Sequence, residues 1–153
     1  MVVHLEGQLL SFWSATLGKR FEDWIKIARN CWTGEPKAFK SEYYNLPEGL
    51  ITLPTPHKYN VPFLIGGHSK YALKRAATIG NGWLPQQSAL SLEPSKLIEP
   101  INLIKQEATL AGKKSDEQKI VLRINQSANS TKVIADNLNS LNEIGVDEII
   151  VDL

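Results

Sequence analysis

The residues of this chain best suited to chemistry are two glycines, Gly66 and Gly67, within Val61 to Pro85, VPFLIGGHSKYALKRAATIGNGWLP. Glycine lets a backbone approach a ligand closely and adopt dihedrals that other residues avoid. The pair follows a short apolar run, Val61, Phe63, Leu64 and Ile65, and precedes Ser69, a residue type that caps helices. Free N–H groups at a helix start, together with the positive end of the helix dipole, make such a junction an anion site, and phosphate is the anion expected. A plain strand-to-helix turn with nothing bound uses the same dipeptide. On these residues alone both readings stand.

The elements that must hold the glycines are legible on either side. Val61 to Ile65 has the continuous apolar pattern of a strand buried on both faces. The helix beginning at Lys70 puts Ala72, Leu73, Ala76, Ala77 and Ile79 on one face, with Lys70, Lys74, Arg75 and Thr78 outside. Gly80 is expected to close it in the left-handed conformation. Gly82 to Leu84, ending at Pro85, is a second strand. A crossover this short implies a β-α-β unit with parallel neighbours.

Val61-Pro62, Ile65-Gly66-Gly67, Ser69, Ala72-Leu73, Arg75-Ala76-Ala77, Gly80 and Gly82-Trp83-Leu84-Pro85 together resemble the luciferase-like monooxygenase family, most closely its coenzyme F420-dependent members. Trp32-Thr33-Gly34-Glu35-Pro36, Tyr43-Tyr44 and Pro54-Thr55-Pro56 resemble the segment that leads into this strand. The resemblance spans about Lys19 to Leu153, and Asn81 departs from it, standing where the family usually has Asp. It implies a barrel that binds FMN or F420 and performs hydride transfer or monooxygenation on a small organic substrate. By similarity the backbone of Ile65, Gly66 and Gly67 holds the cofactor phosphate, and Trp83 and Leu84 lie beside the cofactor tail. Trp83 has a second reading as a core aromatic beneath the helices.

The 153 residues suit one domain with a core, 1–153, in which 1–17 match no part of the family and stay unassigned. A complete (β/α)8 barrel takes roughly 250 residues, so the expected fold is α/β, a partial barrel of four parallel strands with crossover helices. A net charge of +1 argues against a nucleic-acid partner, and no apolar run is long enough for a bilayer. A start without a basic region and a single cysteine, Cys31, fit a reducing cytoplasm. Cys31 reads as a small buried hydrophobe in mid-helix, among apolar residues.

Taken in order, a helix runs from Lys19 to Trp32 with Phe21, Trp24, Ile25, Ala28 and Trp32 inside; Asp23 reads as a structural or solvated carboxylate. Met1 to Leu17 has a weaker helical pattern, opposed by Gly7 and several Ser and Thr. Between Thr33 and Asn60, Phe39, Tyr43 and Tyr44 suggest a small extended pair and Leu50 to Leu53 another extended piece. His4 and His57 read as surface histidines. Gln86 to Glu93 is a polar loop of the kind that forms the active face of barrels. Pro94 to Gly112 is helical, with Leu97, Ile98, Ile101, Ile104, Ala108 and Ala111 inside and a kink or short turn at Pro100. Lys119 to Ile124 is a third strand, in which Arg123 reaches either an anion in the barrel mouth or an acidic neighbour. Ser130 caps a helix with Val133, Ile134, Leu138, Leu141 and Ile144 inside, and Val146 to Leu153 carries the fourth strand.

No metal-ligand cluster, Ser-His-Asp order or carboxylate pair occurs, so no catalytic acid or base is named. An open half barrel exposes the inner face of its strands, expected at Phe63, Ile65, Val121 and Ile149 or Ile150. Such a patch predicts a homo-oligomer or a partner supplying the missing half. The competing reading is a non-catalytic half barrel, a binding or partner-dependent unit with little activity of its own.

Overall fold

A computed structural model of the chain describes residues 3–55 and 61–152, with side chains from Thr16 onward, so His57 lies outside the described residues. The chain divides into two units, Met1–Val61 and Pro62–Leu153.

The first unit is one long helix and a hairpin. α1 spans Val3–Cys31 without interruption, so the Gly, Ser and Thr content of the first residues does not break it. Helix propensity costs at most about 1 kcal/mol per glycine and is a weak prior over so long a segment. Ile25 is buried, whereas Phe21 and Trp24 are exposed and stack on each other with ring centroids 6.5 Å apart. Cys31 is the last helical residue, half-buried, rather than a mid-helix core position. β1 (Phe39–Lys40) and β2 (Asn45–Leu46) pair antiparallel, as the aromatic spacing suggested. The Asn30 side chain clasps the Lys37 backbone, donating to its carbonyl at 2.6 Å and accepting from its N–H at 3.0 Å. Lys19 donates to Glu42 at 3.1 Å, and this bond holds the exposed lysine above its ordinary pKa. No strand forms over Leu50 to Leu53. Thr52 and Thr55 bond back to Gly34 and Trp32, which leaves Ile51 and Leu53 projecting at 88% and 91% exposure.

The second unit is the α/β sheet. β3 (Leu64–Gly66), α2 (Lys70–Thr78) and β4 (Gly82–Leu84) form the expected parallel β-α-β unit. β5 (Gln86–Ser88) takes up the first residues of what reads in sequence as a loop. Gly82 pairs with Lys119 and Gln86 with Arg123, the same offset, so β4 and β5 are one strand divided at Pro85. Pro85 accepts from the Arg123 N–H at 2.9 Å but has no N–H to return to the ladder. α3 (Ser95–Leu110) contains Pro100 inside a continuous helix and buries Leu97, Ile101, Ile104 and Ala108. Ile98 and Ala111 face outward, against expectation. β6 (Lys119–Asn125) lies between β4/β5 and β7 (Glu148–Val151), and all of these pairings are parallel. α4 (Thr131–Glu143) joins β6 to β7; it buries Leu141, while Val133 and Leu138 are exposed. Ser130 occupies its N-cap position without a side-chain capping bond.

Register decides which side chains share a face. Ile65 pairs with Trp83, and Trp83 with Ile120, so these three point to one side; Ile120, Leu122 and Ile124 are all essentially fully buried there, beneath the helices. Leu84, Gln86, Val121, Arg123 and Ile150 point to the other side. Ile65 and Val121 therefore lie on opposite faces, and both are buried, contrary to the expected exposed inner patch. Ile150, on the same face as Val121, is 47% exposed.

Two short clasps fix that register at the amino ends of the strands. Asn81 donates its N–H to Phe63 O at 2.7 Å, and its Oδ1 accepts from Phe63 N at 3.0 Å. Asp147 repeats this against Ile120, at 2.9 Å and 2.8 Å.

Candidate functional site

At the carboxyl ends of the strands, Gly66 leaves β3 and Gly67 turns the chain at φ +98°, a conformation that side chains resist. A Cβ on Gly67 would also stand 3.1 Å from the Ala72 Cβ. Ser69 then caps α2, its Oγ accepting from the Ala72 N–H at 3.2 Å. The first helical carbonyl bond runs from Leu73 N to Ser69 O, so with Ala72 capped the Lys70 and Tyr71 N–H groups have no carbonyl acceptor within the helix.

Gly66, Gly67, His68, Leu84, Gln86 and Arg123 line a cavity of about 520 Å³ beside this turn, on the sheet face opposite Ile65 and Trp83. Three of the five predicted cofactor-site residues, Gly66, Gly67 and Leu84, are thus brought together on one cavity. Ile65 is 5% exposed and lies beneath the turn, outside the lining of the cavity. Trp83 has no exposed surface, and its Nε1–H donates to Gly67 O at 2.8 Å. Its side chain is a core aromatic that also pins the turn.

Gly80 does not take the left-handed conformation; its N–H bonds to Arg75 O, and a Cβ there would lie 2.7 Å from Ala76 O. The need for glycine at Gly80 is steric. Gly82 is tighter still, since a Cβ would lie 2.0 Å from Lys119 O.

His68 escaped the sequence reading, and Gln86 entered it only as the start of a polar loop of the active face. His68 packs edge-on against Trp83, with ring centroids 5.5 Å apart, and lines this cavity as well as two neighbours of about 600 Å³ and 320 Å³. The signal for it was its place between the paired glycines and the capping serine. Arg123 reaches the acidic neighbour, bonding Asp152 through two nitrogens, and it also lines the cavity. Asp23, set aside as structural or solvated, is 6% exposed, with Lys26 Nζ 3.5 Å from its Oδ1 and no partner for Oδ2 among the described residues.

The sequence profile of the luciferase-like monooxygenase family matches residues 15–137. Uncharacterized proteins of Mycobacterium tuberculosis and Mycobacterium bovis are 31% identical over 137 residues, covering 90% of this chain and 43% of each relative. The chain therefore spans less than half the length of these curated relatives. The coenzyme F420-dependent tetrahydromethanopterin reductase of Methanopyrus kandleri superposes with a TM-score of 0.63 at 14% identity, over 82% of this chain and 54% of that one. The match establishes the fold as α/β, part of a (β/α)8 barrel. No described helix is long and apolar enough to cross a membrane.

Proposed function

The chain belongs to the luciferase-like monooxygenase family, and on that premise we propose that it supplies the cofactor-phosphate side of an oxidoreductase barrel. The ligand is FMN or the deazaflavin F420, with its phosphate against Gly66–Gly67 and the amino end of α2. The observation that carries this reading is the left-handed Gly67 beside a capped helix start, at the edge of a cavity of about 520 Å³. The residues present fit the group: a side chain at Gly67 would strain the turn and crowd Ala72, while glycine leaves the backbone donors open.

The bound cofactor would supply hydride transfer or oxygen activation on a small organic substrate. The chain's own part is binding and placement. Backbone groups of Ile65, Gly66 and Gly67 hold the phosphate, Leu84 offers an apolar wall, and Trp83 keeps the Gly67 carbonyl turned inward to the core. Barrel closure requires strands beyond the ones described, and the exposure of Ile150 and Val151 at β7 supports an association through that edge. The proposed setting is the cytoplasm. The same exposed edge supports a second reading, a partner-dependent binding unit without activity of its own.

The test is a fluorescence titration of wild type, Gly67→Val and Asn81→Asp with FMN and with F420. Gly67→Val is expected to weaken binding at least about tenfold, from backbone strain and obstruction of the turn. Asn81→Asp keeps the acceptor for Phe63 N and leaves affinity unchanged. Saturable binding that ignores Gly67→Val would show that the phosphate sits elsewhere.

A further inference from the structure

Arg123 is a charge in the middle of an apolar strand, between Leu122 and Ile124, whose side chains are fully buried on the other face. Its Nε donates to Asp152 Oδ1 at 3.2 Å and its Nη2 to Oδ2 at 3.0 Å. A guanidinium has five N–H donors in one plane. This side-on pairing uses two of them and leaves one hydrogen of Nη1 and one of Nη2 as a parallel pair along the end edge, with the second Nη1 hydrogen directed back toward Cδ. The side chain is 48% exposed and lines the cavity with Gly66, Gly67, His68, Leu84 and Gln86. Gln86 pairs in register with Arg123 across β5 and β6, so the two side chains stand next to each other on one face. Among the described residues the Gln86 carboxamide has no hydrogen-bond partner.

We propose that Arg123 and Gln86 form a recognition pair for the carboxylate of a small-molecule substrate, with Asp152 as the positioning residue that holds the guanidinium plane. The remaining Arg123 edge is a fork that matches two coplanar oxygens, and the Gln86 amide adds a neighbouring donor. Asp152 fixes the plane before binding, which lowers the cost of ordering it. It also offsets part of the charge, so the pair selects a flat, bidentate acceptor over a compact anion such as chloride. The description of this carboxylate as a substrate rests on the proposed function; the binding site itself does not.

The experiment is a titration of the ¹⁵N-labelled full chain with benzoate, benzamide, sodium chloride and inorganic phosphate, read by NMR. The Arg123 Nε–H resonance is assigned by its loss in Arg123→Lys, and the Gln86 side-chain amide by its loss in Gln86→Met. Benzoate is expected to shift both resonances saturably, with benzamide and chloride far weaker. Arg123→Lys should weaken benzoate binding about tenfold or more, as loss of a charge-assisted bidentate pair implies. Asp152→Asn should weaken it severalfold while moving the Arg123 Nε–H shift in the free protein, a change that loss of stability alone would not produce. Benzoate affinity equal in wild type, Arg123→Lys and Gln86→Met, or no saturable shift at either side chain, overturns the proposal. Phosphate shifts at the Gly66 and Gly67 amides report separately on the cofactor-phosphate site, so either reading can fail while the other stands.

Discussion

The indole Nε1–H of Trp83 donates to the carbonyl of Gly67 at 2.8 Å, tying the core of one strand to the turn that ends its neighbour. The bond fixes the peptide plane between Gly67 and His68, since the carbonyl held toward the core directs the His68 N–H outward. Trp83→Phe removes the donor and leaves a space. Stability should fall by about 1–3 kcal/mol from the unpaired carbonyl and lost packing. Urea unfolding measures this. Weaker phosphate binding by the folded variant would accompany it; unchanged stability would show that water replaces the indole at no cost.

Glycine substitutions should separate steric need from backbone freedom. Gly82→Ala places a Cβ 2.0 Å from Lys119 O, in the middle of the sheet, and should prevent folding or cost more than about 4 kcal/mol. Gly112 has φ +73° with nothing within 4 Å, so Gly112→Ala should cost only about 1–2 kcal/mol, the left-handed penalty. Equal losses in the two variants would contradict the close approach of β4 to β6.

The Asn81 and Asp147 clasps predict a matched pair of outcomes. Asn81→Ala leaves the Phe63 N–H, and Asp147→Ala the Ile120 N–H, without its described acceptor, at an expected cost of about 1–3 kcal/mol each. Asn81→Asp and Asp147→Asn retain an acceptor oxygen and should stay near wild type in thermal unfolding. Faster amide exchange at Phe63 or Ile120 in the alanine variants would localise the effect; full protection there would refute the clasp.

Ile150 is an exposed apolar residue of β7, on the sheet face that Arg123 shares. If that face joins another copy, Ile150→Lys should lower the apparent mass in light scattering at micromolar concentration and leave the circular dichroism spectrum intact. A wild-type chain that is already monomeric would exclude the association.

The order of strands and helices was legible in the sequence because its cues are local. Apolar runs mark the strands at Leu64, Trp83, Ile120 and Ile149, and Ser69, Gly112 and Gly145 mark helix ends by capping and positive φ. The glycine turn was legible for the same reason, since its donors belong to one contiguous β-α unit. Tertiary structure decided which face each strand residue takes. β3 and β4 are short and apolar on consecutive positions, so their alternation carries no signal; the parity that separates Ile65 from Val121 arises from inter-strand register, set by Asn81 on Phe63 and by the Lys119 N–H on Asn81 O. Register also places Gln86, twenty residues beyond Gly66, beside Arg123 and brings Asp152 to its guanidinium. A sequence names the groups that can bind; only the ladder between strands puts a carboxamide, a guanidinium and a pair of glycines around one cavity.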